Sequence, residues 1–165
     1  MALANEEAMI EFALLVTEFT QLEYFMERFA ARVLGTDDET AAHVMRSIVS
    51  AKAKIDLLEA TLERSRRNQG KPGEFDLVID EFAALNKIRN DYVHARYMTN
   101  DMTGEVSWVR PKADPLLLDH SAYEPFDITK LKAARKRMVE LIMQISLVVA
   151  RDLAEEVEPE PTPRP

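Results

Sequence analysis

The strongest constraint on the fold is where glycine and proline do not occur. All four glycines (Gly35, Gly70, Gly73, Gly104) and all eight prolines lie between, or after, four segments in which apolar residues recur every three or four positions. That period lays apolar side chains along one face of a helix, and glycine and proline are the residues that interrupt helices. In the first segment, 5–34, the stripe is Phe12, Leu15, Phe19, Leu22, Met26, Phe29 and Val33, with Gly35 supplying the left-handed residue that ends the helix. A second stripe of Ile10, Leu14 and Phe25 predicts contact on more than one side.

Thr36 and Glu39 form a capping box for a second helix that is predicted to run unbroken to about residue 67, with the stripe Ala41, Met45, Ile48, Ile55, Leu58 and Leu62. Arg64, Arg66 and Arg67 crowd its last turn, where cations complement the helix dipole; a ligand contact is the other reading. After a polar turn at 68–73, the third helix is expected over 75–97, with Val78, Phe82, Leu85, Ile88 and Tyr92 facing inward. The helical period disappears over 98–126, and Thr103-Gly104 followed by Glu105-Val106-Ser107-Trp108-Val109 predicts a short strand, one arm of a hairpin. Asp127 caps the fourth helix, whose stripe is Leu131, Met138, Ile142, Ile145, Val149 and Leu153. Four such helices must bury their stripes against each other. The expected fold is therefore all-α, a four-helix up-and-down bundle over 1–155 with a hairpin or irregular insertion between helices three and four. A disordered acidic, proline-rich tail is expected over 156–165.

Composition narrows the functional classes. At 165 residues there is room for one domain, and 47% hydrophobic with 30% charged residues is too apolar for disorder and too charged for a membrane bundle. The longest uncharged apolar-rich run of the last helix, 141–150, is about half a bilayer span, and the acidic start lacks the basic residues of a secretory signal. With no cysteine there is no disulfide framework or thiolate chemistry, which agrees with a cytoplasmic location. The net charge of −8 opposes broad adhesion to nucleic acid or anionic lipid, so any contact with either would be local. His43 and His120 show no metal-ligand spacing, and neither HExxH nor a glycine-rich phosphate loop is present.

The informative segment is Arg89-Asn90-Asp91-Tyr92-Val93-His94, late in the third helix. On a wheel with Phe82 at zero, Val78, Leu85 and Tyr92 fall at about −40°, −60° and −80°, and Arg89 at about −20°. Arg89 therefore lies inside the apolar stripe. Burying an unpaired guanidinium is costly and the group cannot shed its proton, so it needs a carboxylate partner, an edge to reach, or a ligand. Asn90 and His94 share another face with Ala83 and Lys87. Arg89 and His94 stand about 140° apart, so chemistry using both requires a distorted helix end or a second copy of the helix.

This string resembles the R-x4-H motif, with a polar residue after the arginine, of the HEPN superfamily (higher eukaryotes and prokaryotes nucleotide-binding domains). In that superfamily the motif lies late on the third helix of a helical bundle, and the order of elements here is similar over 6–153. Many of its members are metal-independent endoribonucleases, often dimers whose paired motifs form one composite cleft, and some act in defence or stress responses. The resemblance implies that His94 is the acid/base, Arg89 the phosphate clamp, and Asn90 the residue that orients the histidine or substrate. Lys87, Arg96 and Tyr97 are the implied neighbouring binding residues. Histidine titrates near neutrality and can take a proton from a ribose 2′-hydroxyl or give one to the leaving oxygen, while arginine stabilises the transferring phosphate. The implied products are a 2′,3′-cyclic phosphate and a 5′-hydroxyl, with no metal cofactor. The implied partners are a second copy of the chain and RNA or a nucleotide. In a toxin-like subgroup a tyrosine stands two residues after the histidine; here Arg96 occupies that place and Tyr97 follows, so regulation by nucleotide transfer to that tyrosine does not carry over. Some members are non-catalytic, which leaves an interaction or nucleotide-sensing module, bound to a protein partner, as the alternative.

Two further features have a plain and a functional reading. Lys130, Lys132, Arg135, Lys136 and Arg137 make the first half of the last helix basic, the wrong end for its dipole; they form either a solvated surface or an RNA-facing patch. Trp108 with Arg110 either covers a core edge or stacks on a base.

Overall fold

The computed structural model describes residues 2–66, 73–100, 102–109 and 124–157. Arg67, Arg110, His120, most of the expected turn at 68–73 and the tail from 158 onward lie outside the described residues. The fold is all-α with one small sheet. In chain order the elements are α1 (Ala2–Leu34), α2 (Asp38–Ser47), α3 (Ala51–Arg66), α4 (Glu74–Val93), β1 (Arg96–Thr99), β2 (Val106–Val109), β3 (Glu124–Pro125) and α5 (Ile128–Val157). No described helix is long and apolar enough to cross a membrane.

Helix α1 ends as its sequence predicts. Gly35 takes φ +64°, a conformation costly for a residue with a Cβ, and the Thr36 N–H reaches back to the Ala31 carbonyl at 3.0 Å, closing the last turn. The next helix start differs from the expected capping box. Asp37 rather than Thr36 is the N-cap, its carboxylate accepting from the Thr40 N–H at 2.8 Å and the Thr40 hydroxyl at 2.7 Å. These bonds hold the Asp37 carboxyl below the ordinary carboxylate range. A carboxylate accepts more strongly than a hydroxyl and favours the positive helix end, which explains why aspartate wins the position.

The expected second helix is two helices. Ile48 leaves helical geometry at φ −93° and ψ 112°, Val49 is almost fully exposed, and α3 restarts with the Ser50 carbonyl and hydroxyl accepting from Lys54 and Ala53. Two β-branched residues between serines are poor helix formers, and the Ser47 hydroxyl turns back to the Val44 carbonyl at 2.7 Å. Two other boundaries also move. Helix α4 stops at Val93, four residues short of expectation, and α5 runs through Val157, into the first residues of the segment expected to be disordered.

The chain divides into two compact units whose boundaries fall within α1, α4 and α5. One unit is Leu22–Ala83 with Glu140–Pro165. Its buried side chains include Leu22, Met26, Phe29, Met45, Leu58, Ile79, Phe82, Leu141 and Ile145, and Phe29 meets Phe75 edge-on at 5.2 Å. Arg46 grips Glu27 through one guanidinium edge, Nε and Nη2 donating to both carboxylate oxygens at 2.7 to 3.1 Å, and so ties α2 to α1.

The other unit is Met1–Gln21 with Ala84–Val139. It buries Leu15, Phe19, Leu85, Tyr92, Trp108, Val109, Leu131 and Met138, and it contains the sheet. The expected hairpin is present and gains a third strand. Antiparallel β1 and β2 pair Tyr97 with Trp108 and Met98 with Ser107, and β2 in turn pairs Trp108 with Glu124. Its turn is set by Asn100, whose side-chain oxygen accepts from the Met102 and Thr103 amides at 2.9 and 3.2 Å, and by Gly104 at φ +72°. The second α1 stripe is not covered as expected: Ile10 is 51% and Leu14 37% exposed, and Phe25 is half-buried.

Candidate functional site at the end of helix α4

The early stop of α4 decides how the motif is presented. The His94 N–H still bonds the Asn90 carbonyl at 3.1 Å, but Ala95 bonds the Tyr92 carbonyl instead of continuing the helical ladder, and Arg96 opens β1. Helix propensity favours continuation through Ala95 and Arg96; pairing of 96–99 with 106–109 overrides it. Arg89 and Asn90 thus stand on the last turns of the helix, His94 on the turn that follows, and Arg96 and Tyr97 on a strand.

Arg89 is half-buried on the inward stripe, as its wheel position predicts. Its Nη1 donates to the Asn90 side-chain oxygen at 2.8 Å, and its guanidinium carbon sits 5.6 Å from the centre of the Phe19 ring on α1. A cation over an aromatic face is attracted by the ring quadrupole, so Phe19 steadies the group without neutralising it. Asn90 in turn donates to the Asn86 side-chain oxygen at 3.4 Å, one helical turn back. Among the described residues Arg89 has no carboxylate partner, and its buried Nε has no acceptor. A buried donor of a permanently charged group that lacks an acceptor is costly, and an anion would relieve it.

His94 is exposed, and its imidazole makes no hydrogen bond among the described residues. The structure turns Asn90 toward Arg89. Lys87 and Arg96 are exposed and form no ion pair among the described residues. Tyr97 is different: 41% exposed, it donates its hydroxyl to the Tyr92 carbonyl. Its ring meets Phe12 and Phe126, each at 5.9 Å, while Tyr92 stacks on Trp108 at 4.6 Å with the planes only 6° apart. Trp108, 5% exposed, therefore belongs to the core edge, and the reading as a base-stacking platform is set aside.

The basic start of α5 is mixed: Lys130, Lys132 and Lys136 are exposed, as a solvated surface has them, while Arg135 is enclosed by acids. Arg135 donates through Nε and Nη2 to Glu18 at 3.0 and 2.6 Å and through Nη1 to Glu11 at 2.5 Å. The bonds to Glu18 and Glu11 raise its pKa further above an already high value. Lys132 reaches Glu7 at 2.8 Å, and Lys130 lies 3.6 Å from the capping Asp127. Acids on α1 thus offset the charge of Lys132 and Arg135, and the capping Asp127 that of Lys130, at the wrong end of the helix.

The same unit has a cavity of about 410 Å³ between the hairpin turn and the start of α5, lined by Asn100, Glu105, Ser107, Phe126 and Ile128 among others; none of the motif residues lines it. No group of three or more histidine or carboxylate side chains that could hold a metal occurs among the described residues. The contributions of Phe19 and Asn86 escape a reading of the motif alone. Asn86 stands four residues before Asn90 and was in principle visible; Phe19, far away in the chain, was not.

Comparison with protein-family models, with curated proteins and with solved structures returns no match to this chain.

Proposed function

We propose that this chain is a HEPN-type, metal-independent endoribonuclease acting as a homodimer, with Arg89 as the phosphate clamp and His94 as the acid/base. The observation that carries the reading is the state of Arg89: a half-buried guanidinium held by Asn90 and Phe19, with no carboxylate among the described residues and a buried Nε lacking an acceptor. A phosphate diester is an anion that such a fork recognises. In the reaction a 2′-oxygen bonds to phosphorus as the bond to the 5′-oxygen breaks. One base takes the 2′-hydroxyl proton, and one acid gives a proton to the leaving 5′-oxygen. A single imidazole is not both neutral and protonated at once, and a second copy of the chain brings the second His94. Arg89 carries the negative charge that builds on the phosphate oxygens.

The test is direct. Mixed RNA incubated with the purified protein and a chelator should yield 2′,3′-cyclic phosphate ends. His94→Ala should slow cleavage by about 10²-fold or more, the usual contribution of a general acid or base. Intact RNA, or a His94→Ala protein as fast as the wild type, rejects the reading.

A second reading is favoured by the pairing of Lys132 and Arg135 with Glu7, Glu11 and Glu18, which removes charge from a long RNA track. In it the Arg89 site serves a non-catalytic module that senses a nucleotide or binds a protein partner. That reading predicts thermal stabilisation by a mononucleotide without strand cleavage.

A further inference from the structure

The turn that carries His94 is unusual in how it is closed. Backbone bonding supports its first half, through the His94 N–H to the Asn90 carbonyl and the Ala95 N–H to the Tyr92 carbonyl at 3.1 and 3.3 Å. Closure comes from a side chain: Tyr97, on β1, sends its hydroxyl back to the same Tyr92 carbonyl. Both ends of this closed loop are anchored. Tyr92 is buried, stacked on Trp108 and edge-on to Phe126 at 5.8 Å, and the Tyr97 ring lies against Phe12 and Phe126. Between the anchors stands an exposed imidazole with no hydrogen bond of its own among the described residues. Its placement depends on the backbone of the turn.

We propose that the Tyr97 hydroxyl is the positioning group for His94: by tying β1 to the last turn of α4 it holds the imidazole-bearing turn in one conformation. This assigns Tyr97 a role different from direct contact with substrate. It also explains the tyrosine type at an exposed strand position, because phenylalanine would fill the same space between Phe12 and Phe126 but leave the turn untied. Partial burial raises the phenol above its ordinary pKa of 10.0, so the hydroxyl keeps its proton and remains a donor throughout the neutral range. The clasp itself is independent of the ribonuclease reading; its consequence for catalysis rests on that reading.

The experiment compares the full-length wild type with Tyr97→Phe, which keeps the ring. Amide hydrogen exchange at His94 and Ala95 should quicken by about five- to tenfold, the factor that one ordinary hydrogen bond confers, while exchange in α1 and α5 stays unchanged. If wild type cleaves RNA, kcat of Tyr97→Phe should fall by a similar factor with KM unchanged. The exchange difference between the two proteins should shrink above about pH 10, because a group whose folded pKa is raised gives its stabilisation below the unfolded value and loses it as pH climbs toward the folded one. Unchanged exchange at His94 and Ala95 overturns the proposal whatever the activity. Faster exchange with an unaltered kcat overturns the positioning role in catalysis. A wild type that leaves RNA intact rejects the ribonuclease reading, and the exchange measurement alone then decides whether the clasp holds the turn.

Discussion

Arg135 and Arg89 are both partly buried arginines of one compact unit, and the protein treats them in opposite ways. Arg135, its side chain 22% exposed, is enclosed by Glu11 and Glu18, themselves 12% and 17% exposed. Arg89 is given an amide and an aromatic ring. The first arrangement closes its charges on themselves, so adding an anion would compete with two carboxylates. The second orients a cation while leaving its charge uncompensated. The two arginines are distinguished here by the sign of what surrounds them rather than by depth.

Substitution can break or sharpen that contrast. The largest stability effect should come from Arg135→Met, which leaves Glu18 without its cation and Glu11 with only Lys132, 4.0 Å away. A loss of about 2 kcal/mol is expected in urea unfolding, below the cost of breaking a fully buried pair because the edge of the network reaches water. Unchanged stability would remove the basis of the comparison. Arg89→Met should lie within about 1 kcal/mol of the wild type, since only one hydrogen bond and a ring contact are lost while an uncompensated charge is relieved. The same variant should lose binding of a short oligonucleotide, followed by fluorescence anisotropy. A large fall in its stability would class Arg89 with Arg135. Lys132→Met gives the smallest effect: Lys132 is paired with Glu7 but half-exposed, so its removal should shift the unfolding midpoint only slightly, and added salt should erase the difference.

Much of the helical framework was legible because helices declare themselves locally. The α1 stripe, its glycine stop and the Asp127 start of α5 each depend on residues a few positions apart, and they stand as expected. The end of α4 was not legible for the opposite reason. Ala95, Arg96 and Tyr97 are compatible with a helix until Tyr97 meets Trp108 across the hairpin. At the candidate site, the wheel placed Arg89 on the buried stripe correctly, yet the ring beneath it comes from α1. The fate of the basic run on α5 was equally hidden, because the partners of Arg135 stand 117 and 124 residues away. Charge read along the chain counts cations; only the fold shows which of them are already answered.

The interruption between α2 and α3 has a consequence for how sequence change propagates. Along one continuous helix, the apolar face of Ala41 and Met45 would be out of phase with that of Ile55, Leu58 and Leu62 by about 80°. All five are nevertheless buried. The extended residue at Ile48 absorbs the angular mismatch, so it acts as a phase reset. An inserted residue near Val49 would be taken up by the joint, whereas the same insertion in mid α1 would rotate every following side chain of that helix by about 100°.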